Sequence, residues 1–313
     1  MGAATRDAFG KAIVRLGRDP RIVVLTGDLR DSTRTEEFAE TFPERFFDAG
    51  IAERNMLGMA SGLALSGKIP WACSFSCFVT GRFETLRLSV AYQEANVRIV
   101  GTHTGIGVGE DGYSQMALED IAGIRALPNV AIVNPADAVE TERAVEYLVE
   151  HRGPAFLRLT RQGVEDVNGD GYRFEFGKAV TLRDGSDAAI LATGAPVGEA
   201  VKAAEELSGE GISARVLNVH TIKPLDVEAV RAAAAECRAI VTAEDHSIHG
   251  GLGGAVAEIL AEGNGAPRPG APLRRVGTTT FGESGSPAEL YEKFGLDAAG
   301  IATAVKESLQ RAS

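Results

Sequence analysis

Apolar runs rich in β-branched residues alternate with amphipathic stretches along the first half of the chain. Short continuous apolar runs are typical of buried strands, and apolar residues three and four apart are typical of helices. The pattern predicts helices over residues 6–17, 79–93 and 137–151, a helix that begins at Glu53, and strands over residues 21–28, 45–50, 69–75, 97–103, 129–135 and 155–160. This alternation predicts a parallel sheet covered by helices on both faces.

The second half of the chain repeats this alternation after a polar segment. Residues 161–180 are polar, contain glycine and lack a regular period, which is typical of a linker. Beyond it, strands are predicted over residues 188–194, 213–220, 239–245 and 272–277. We therefore predict an α/β protein with two doubly wound, mostly parallel sheet domains, at residues 1–165 and 187–313, joined by a linker at residues 166–186.

Composition and charge narrow the class of protein. The chain has 43 acidic residues against 32 Lys and Arg, a formal net charge of −11 and no basic cluster, so nucleic-acid or membrane binding is not expected. No apolar run reaches the length of a membrane span, and the N-terminus lacks the apolar stretch of a signal peptide. Cys73, Cys77 and Cys237 form neither a disulfide framework nor a zinc motif, which predicts a reducing, cytoplasmic location.

Polar and aromatic residues follow several of the predicted strands. In open α/β sheets, ligands bind beyond the carboxyl ends of the strands. Taken singly, such residues have ordinary explanations, since an acid at a helix start interacts with the helix dipole and phenylalanines three apart face a core. Their convergence on one edge favours a site, and the candidates are Asp28, Ser32, Glu53, Phe75, Phe78, His103, Asp111, Gln115 and Arg161.

The segment "GTHTGIGVGEDGYSQMALED", residues 101–120, is the richest in candidate chemistry. Its glycines allow the backbone to run close to a ligand, while His103, Glu110, Asp111 and Gln115 offer hydrogen-bonding groups. The alternative interpretation is a mobile, glycine-rich surface loop. A phosphate-binding Walker loop is excluded, because its G-x-x-x-x-G-K-[ST] motif does not occur in the chain.

Several stretches together resemble one known family. The first domain contains "DAGIAERNMLGMASGLALSG" (48–67), "FSCFVTGRFETLR" (75–87), "THTGIGVGEDGYSQMALEDIAGIRALPNVAIVNPAD" (102–137) and "LRLTRQG" (157–163). These resemble the pyrimidine-binding domain of transketolases. "TIKPLD" (221–226) and "EDHSIHGGLGGAVAE" (244–258) are similar to the C-terminal domain of that family. The resemblance covers nearly the whole chain, in the order and spacing of the family.

The resemblance also implies a missing part. Transketolases hold the magnesium of thiamine diphosphate with a G-D-G motif followed at a fixed distance by Asn, on an earlier domain. Here "GDG" occurs at residues 169–171, but the next Asn is Asn218, within a predicted strand. The resemblance therefore implies a split enzyme, in which this chain is the C-terminal subunit. A separate N-terminal subunit carries the diphosphate-binding domain and Mg²⁺ or Ca²⁺, in an α2β2 heterotetramer with active sites between subunits.

The resemblance implies roles for the residues that bind the cofactor. Glu53 matches the acid that hydrogen-bonds a pyrimidine nitrogen of thiamine diphosphate and shifts the amino group of the ring toward its imino form. An acid shielded from water by an apolar helix can share a proton with that nitrogen. Phe75 and Phe78 match the aromatic residues that line the pyrimidine pocket. Asp28 matches the acid near the thiazolium ring.

The resemblance likewise implies the residues that bind the sugar. Ser32, His103 and Arg161 match residues that bind the sugar phosphate, and a hydroxyl, an imidazole and a guanidinium suit a phosphate dianion. Asp111 matches the acid that recognises a sugar hydroxyl. The resemblance thus implies four catalytic residues, Glu53, His103, Asp111 and Gln115, and the position of Gln115 is the one near the reacting carbons of the donor.

Two departures from the family pattern leave the substrate open. Gln115 stands where the family usually has His, and glutamine forms hydrogen bonds but carries no charge and moves no proton. Gly81 stands where a further aromatic residue is expected. The leading hypothesis is transfer of a two-carbon ketol unit from a ketose or ketose phosphate to an aldose phosphate. The alternatives are a 2-oxo acid dehydrogenase β subunit, a decarboxylating enzyme like deoxyxylulose-phosphate synthase, and a non-catalytic regulatory subunit.

Overall fold

A computed structural model describes residues 2–169, 171–262 and 271–312. Asp170, the central residue of the "GDG" motif, lies outside these ranges. Within them, no helix is both long enough and apolar enough to cross a membrane.

The first sheet has seven strands within the described residues, in the spatial order β10-β5-β6-β4-β3-β1-β2. All of its pairs are parallel except that of β10 with β5. The strands are β1 (Ile22–Thr26), β2 (Phe46–Asp48), β3 (Ile69–Phe75), β4 (Arg98–Thr102), β5 (Ala131–Val133), β6 (Ala155–Arg158) and β10 (Thr221–Lys223). The helices of this unit are α1 (Thr5–Leu16), α2 (Glu36–Thr41), α3 (Glu53–Leu65), α4 (Ser76–Thr80), α5 (Phe83–Thr85), α6 (Asp120–Arg125) and α7 (Ala138–Glu150).

The second sheet has five strands in the described part of the chain, in the order β12-β11-β8-β9-β7, and only the pair β7–β9 is antiparallel there. Its strands are β7 (Val180–Arg183), β8 (Ala188–Thr193), β9 (Ala214–Asn218), β11 (Ala239–Ser247) and β12 (Leu273–Thr278). Its helices are α8 (Pro196–Gly209), α9 (Val227–Glu236), α10 (Leu252–Ala261), α11 (Pro287–Phe294) and α12 (Ala298–Arg311). The predicted fold class, two mostly parallel α/β sheets, is confirmed.

Neighbouring residues of one strand enter two different hydrophobic cores, because side chains alternate across a strand. Val23 and Leu25 of β1 pack with residues of α3 and α6 on one face of the first sheet. Ile22 and Val24 pack with residues of α1 and α7 on the other face. A strand that is buried on both faces is apolar throughout, which explains the continuous apolar runs in the sequence.

The region after β3 differs from the single helix predicted over residues 79–93. The structure has α4, then α5, then a π-helical segment at Leu86–Ala91. The helical backbone begins at Ser76, so Phe78 lies on α4. Gly81 is the C-cap of α4, and glycine is a poor helix former, so the helix is interrupted there.

Two strands were not predicted from the sequence pattern. β7 lies inside residues 166–186 and pairs with β9, while β10 follows β9 in the chain but pairs with β5 of the first sheet. β7 (VTLR) and β10 (TIK) each mix apolar with polar residues, so neither forms the continuous apolar run that predicts a buried strand. Their pairing partners are distant in sequence, so only the tertiary structure identifies these strands.

A buried arginine of the first unit, held in an ion pair, also contacts the second sheet. Arg158 at the end of β6 donates from Nε to Oδ2 of Asp120 at 2.9 Å, and Ser76 Oγ donates to the same oxygen at 2.7 Å. Arg158 Nη2 also donates to the backbone carbonyls of Ala117 and Asp245, at 3.1 and 2.8 Å. Because Asp245 belongs to β11, this guanidinium joins the first unit to the second.

Candidate functional site

The carboxyl ends of neighbouring strands bring predicted residues to one edge of the first sheet. β1, β3 and β4 are adjacent, and the register pairs Phe75 with Thr102. Asp28 follows β1, Phe75 ends β3 and His103 follows β4. Parallel strands all end at the same edge, so the side chains that follow them share one surface.

Two residues at this edge have a backbone conformation that is uncommon for residues other than glycine. Asp28 has φ 65° and His103 has φ 56°. The left-handed region costs of order 1–3 kcal/mol per such residue and concentrates at functional sites. The N–H of Asp28 donates to Asp48 Oδ1 at 2.9 Å, and the side chain of Asp28 is exposed. This turn therefore presents the Asp28 carboxylate beyond the end of β1.

Glu53 is a nearly buried carboxyl group at the first residue of α3. Its side chain is 4% exposed, and Ser74 Oγ donates to its Oε1 at 3.0 Å. Gly27 lies against it, since a Cβ at that position would be 3.3 Å from Glu53 Oε1. In the described residues no donor reaches the other oxygen of this group, so it can bond a ligand from this edge of the sheet.

The predicted aromatic residues form a flat apolar wall. The Phe75 and Phe78 rings have centroids 5.4 Å apart and planes inclined by 22°. The His103 imidazole stacks on Phe75, with centroids 3.7 Å apart and an interplanar angle of 26°. Phe75 and Ser74, the partner of Glu53, are the last two residues of β3, so the wall and the buried carboxyl group lie at the same end of this strand.

His103 is held uncharged by its surroundings. Burial and the nearby guanidiniums of Arg6, Arg161 and Arg34 lower the pKa of His103 to about 3. Nε2 lies 3.4 Å from Arg6 Nη1, and Nδ1 lies 3.0 Å from Thr102 Oγ1. Because a guanidinium only donates, Nε2 accepts, and the proton of the neutral ring is on Nδ1. With Nδ1 facing Thr102 and Nε2 accepting from Arg6, both ring nitrogens are occupied, and the arginines supply the positive charge for an anion.

This charge state has a measurable consequence. The C–H resonances of His103 are expected to keep the same chemical shift from pH 5 to pH 8, because its imidazole protonates only near pH 3. Proton NMR with a His103→Gln variant for assignment measures this. A titration midpoint near 6.5 would show that the three guanidiniums are not close enough to exclude the imidazolium.

Arg6 is a site residue that the sequence analysis missed. Its Nη1 donates to the carbonyl of Ser32 at 3.0 Å, and its Nε is buried without a hydrogen-bond partner. Burial and the charge of Arg34 lower the pKa of Arg6. A buried N–H without an acceptor is costly, and an anionic oxygen would satisfy it. A signal existed, since Arg6 stands in the first turn of α1, where the helix dipole disfavours a cation.

Arg34 belongs to the same cationic cluster and was also missed. Its Nε donates to Asp7 Oδ1 at 2.7 Å, and its Nη1 donates to Asp31 Oδ1 at 3.3 Å. Its backbone is left-handed, with φ 59°. These acids hold Arg34 at the rim of the cluster, where its charge acts on Arg6 and His103.

Arg161 and Asp111, both predicted from the sequence, contact each other. Arg161 Nε lies 3.4 Å from Asp111 Oδ2, and Nη1 donates to the carbonyl of Val108 at 3.0 Å. Glu110 lies 3.8 Å from the same guanidinium. All three contacts are with the short 3₁₀ segment Ile106–Asp111. This segment therefore determines where the Arg161 guanidinium lies.

Gln115 lies near α4 with an unsatisfied side chain. Its Oε1 atom is buried and has no hydrogen-bond partner, while its backbone carbonyl lies 3.5 Å from Cys77 Sγ. Cys77 and Phe78 both belong to α4, so the backbone of Gln115 contacts the helix that carries one ring of the aromatic wall. A buried acceptor without a donor is suited to a hydroxyl group of a ligand.

Together, these features define the class of this protein. It is a two-unit α/β protein with a buried carboxyl group, an aromatic wall and a cluster of guanidiniums at one sheet edge, which suits an anionic ligand with a planar ring nearby. Within the residues that the structure describes, no group of three His, Cys, Asp or Glu side chains is arranged to hold a metal ion.

Comparison with known proteins identifies the family. Residues 1–166 match the transketolase pyrimidine-binding domain, and residues 177–301 match the transketolase C-terminal domain. The chain is 45% identical to a putative transketolase C-terminal section of Methanocaldococcus jannaschii, covering 98% of this chain and 96% of that protein. It is 44% identical to the 6-deoxy-6-sulfo-D-fructose transketolase subunit of Clostridium sp. strain MSTE9, covering 98% of this chain and 94% of that protein.

A solved structure agrees with these relatives. A split-gene transketolase, described as an inactive β4 tetramer, superimposes with a TM-score of 0.89 at 43% identity, covering 100% of both chains. The chain belongs to the transketolase family, as the resemblance in its motifs implied.

Proposed function

We propose that this chain is the C-terminal subunit of a two-component, thiamine-diphosphate-dependent transketolase. It transfers a two-carbon ketol unit from a ketose or ketose phosphate donor to an aldose phosphate acceptor. The observation that carries the proposal is the buried carboxyl group of Glu53, which lies on the same sheet edge as the aromatic wall and the guanidinium cluster. A carboxyl group so placed has no structural partner besides Ser74 among the described residues.

The residues around Glu53 fit the pyrimidine ring of the cofactor. One carboxyl oxygen accepts from Ser74, which leaves the other to hydrogen-bond a ring nitrogen. Phe75 and Phe78 offer a flat surface to the ring, and the exposed Asp28 follows β1 at the same sheet edge. When bound, thiamine diphosphate supplies the carbanion chemistry of ketol transfer. Glu53 holds or releases the proton at the ring nitrogen, and the aromatic residues orient the ring.

The guanidinium cluster fits the phosphate of the sugar. Arg161 and Arg6 provide charge-assisted hydrogen bonds, and Arg6 Nε has no acceptor until an anion binds. Ser32 and His103 lie within this cluster and add polar contacts. In this proposal Asp111 leaves its contact with Arg161 to accept a hydrogen bond from a sugar hydroxyl. Gln115 Oε1 accepts from a hydroxyl near the reacting carbons of the donor.

The partner in this proposal is an N-terminal subunit that carries the diphosphate-binding domain and holds Mg²⁺ or Ca²⁺, in an α2β2 heterotetramer. Exposed apolar side chains along α3 and the segment packed beside it support a protein contact there, namely Ile51 just before α3, Leu65 at its end, and Leu88 and Tyr92 on the neighbouring segment. The split-gene relative was solved as an inactive β4 tetramer, which supports the need for a second chain.

A cytoplasmic location completes the proposal. Cys73, Cys77 and Cys237 are all unpaired, and Cys73 and Cys237 are buried in hydrophobic clusters. Burial raises the pKa of the Cys77 thiol to about 12, so it stays protonated and unreactive at neutral pH. Unpaired thiols of this kind are typical of a reducing compartment.

Reconstitution tests the proposed function. The isolated chain is expected to be inactive, and mixing it with its N-terminal partner, thiamine diphosphate and Mg²⁺ is expected to give ketol transfer from ketose donors to aldose phosphates. Product analysis by mass spectrometry measures the transfer. Release of carbon dioxide from a 2-oxo acid, without ketol transfer, would instead support the decarboxylating alternatives. Assembly of a complex that catalyses neither reaction would support a regulatory subunit.

The Arg161→Ala variant tests the phosphate site. We expect the KM for a phosphorylated acceptor to rise about 10- to 100-fold, because a hydrogen bond to a charged group contributes roughly 1.5–3 kcal/mol. The KM for the same aldose without phosphate is expected to change less than about threefold. Steady-state kinetics of the reconstituted enzyme measures both. The control is Arg143→Ala on α7, whose exposed guanidinium pairs with half-buried Glu146. Equal changes for both acceptors would contradict a phosphate contact.

A further inference from the structure

A buried carboxylate of the second unit reaches into the glycine-rich segment of the first. Asp245 of β11 is 2% exposed. Its Oδ1 accepts from the N–H of Ile106 at 2.7 Å, and its Oδ2 accepts from the N–H of Gly107 at 3.3 Å. Tyr291 of α11 donates its hydroxyl to Oδ2 at 2.8 Å. The carboxylate therefore bonds two consecutive backbone amides across the boundary between the units.

The sequence of the segment is adapted to this close approach. Gly105 has φ 76°, and a Cβ there would lie 2.1 Å from the Asp245 carboxyl group. A Cβ at Gly107 would lie 1.9 Å from Gln162 Nε2, and the same nitrogen donates to the Tyr291 hydroxyl at 3.3 Å. Larger residues at either position would separate the segment from Asp245 and Tyr291.

The held segment is the one that contacts the substrate residues. One residue after Gly107, the carbonyl of Val108 accepts from Arg161 Nη1 at 3.0 Å. At the end of the segment, Asp111 lies 3.4 Å from Arg161 Nε. A continuous series of direct contacts thus runs from Asp245, through the backbone of residues 106–108, to the guanidinium proposed to bind phosphate.

We propose that Asp245 is a positioning residue of the sugar-phosphate site, through which the second unit holds Arg161 and Asp111 in their binding geometry. This inference rests on the proposed function for the identity of the ligand. Two backbone amides fixed by one carboxylate restrict the segment more than a single neutral hydrogen bond does. The second unit, which contributes no predicted site residue, acquires a direct role in substrate binding.

The charge of Asp245 is compatible with this role. Burial has the largest effect and raises the pKa of Asp245, and this rise is opposed by Arg158, the amides of Ile106 and Gly107, and the Tyr291 hydroxyl. Asp120 and Glu244 belong to the same buried region around Arg158 and His246. Three donors that all point at one carboxyl group favour its ionised form.

The kinetic test uses the reconstituted enzyme with the Asp245→Asn variant. The amide of asparagine has one acceptor oxygen, so it cannot accept from all three donors as the carboxylate does. We therefore expect the KM for a phosphorylated acceptor to rise about tenfold, while kcat changes less than about threefold. If Asp245 acts through Arg161, the Asp245→Asn/Arg161→Ala double variant is expected to be no worse than Arg161→Ala alone. If the KM of the double variant instead rises by the product of the two single increases, the proposal is overturned.

The matched control is Glu140→Gln. Glu140 is a second buried carboxylate between the units, which accepts from Asn218 Nδ2 at 2.9 and 3.1 Å, but it does not contact residues 105–111. This variant is expected to leave the acceptor KM unchanged. An equal rise in KM for both variants would show a general effect of loosening the two units and would overturn a specific role for Asp245.

Amide hydrogen exchange provides a readout that does not require activity. In the full isolated chain, Asp245→Asn is expected to speed exchange across residues 104–112 about tenfold or more, while Glu140→Gln leaves it unchanged. Should Asp245→Asn fail to fold, Tyr291→Phe removes one donor and is expected to produce the same changes at smaller size. Unaltered exchange in a folded variant would overturn the proposal. Failure of ketol transfer in the wild-type enzyme would contradict the proposed function alone.

Discussion

The Glu53→Gln variant, assembled with its partner subunit and cofactor, is expected to turn over about 10²–10⁴ times more slowly than the wild-type enzyme, the range of general acid–base contributions. Glutamine retains an oxygen that can accept from Ser74 Oγ, so the local structure is preserved. Its amide, however, cannot exchange a proton with a ring nitrogen. Single-turnover kinetics with saturating donor measures the loss at the chemical step.

Two controls separate this loss from other effects. Glu205→Gln makes the same chemical change on the exposed face of α8 and is expected to retain full activity. Ser74→Ala removes the one donor to Glu53 among the described residues while keeping the acid, and is expected to cost far less than Glu53→Gln. Unchanged turnover of Glu53→Gln, with cofactor bound, would contradict the proposed role of this carboxyl group.

Loss of the buried guanidinium between the units is expected to produce the largest change in stability. Arg158 and Asp120 are 2% and 1% exposed, and their ion pair spans 2.9 Å. Arg158→Met leaves the Asp120 charge uncompensated in the interior, and such breaks cost about 3–5 kcal/mol. It also leaves the carbonyls of Ala117 and Asp245 without this donor. Urea titration of the isolated chain measures the free energy of unfolding.

Two further variants test the origin of this stability loss. Arg143→Met breaks an exposed ion pair with Glu146, and such pairs contribute only about 0–1 kcal/mol. Adding Asp120→Asn to Arg158→Met removes the orphaned charge and is expected to restore part of the stability. If Arg158→Met lowers the free energy of unfolding no more than Arg143→Met does, other groups compensate the charge of Asp120 and the prediction is wrong.

The predicted and observed positions of a residue agree best where that residue follows a long apolar strand. Phe75 and His103 adjoin strands that the apolar runs predict, and parallel strands necessarily end at one edge. Glu53 was predicted at the start of α3, and the structure places it there, nearly buried. The roles of these residues remain proposals, but their convergence required only the strand pattern.

Other features could not be predicted because their partners are distant along the chain. β10 pairs with β5 across about ninety residues, and its sequence TIK has no continuous apolar run. Arg6 was not predicted, because its place in the first turn of α1 is only a weak signal. Its position near His103 and the carbonyl of Ser32 shows that it belongs to the site.

The amino-acid sequence by itself determined the two α/β units, the family and the set of residues at the carboxyl edge of the first sheet, because these follow from local periodicity and contiguous motifs. Tertiary structure alone decided the charge state of His103, the cluster of Arg6 and Arg34, and the contact of Asp245 with residues 106 and 107. The reason is physical: burial, electrostatic potential and hydrogen bonding depend on distances between groups far apart in the chain. A linear pattern does not contain those distances.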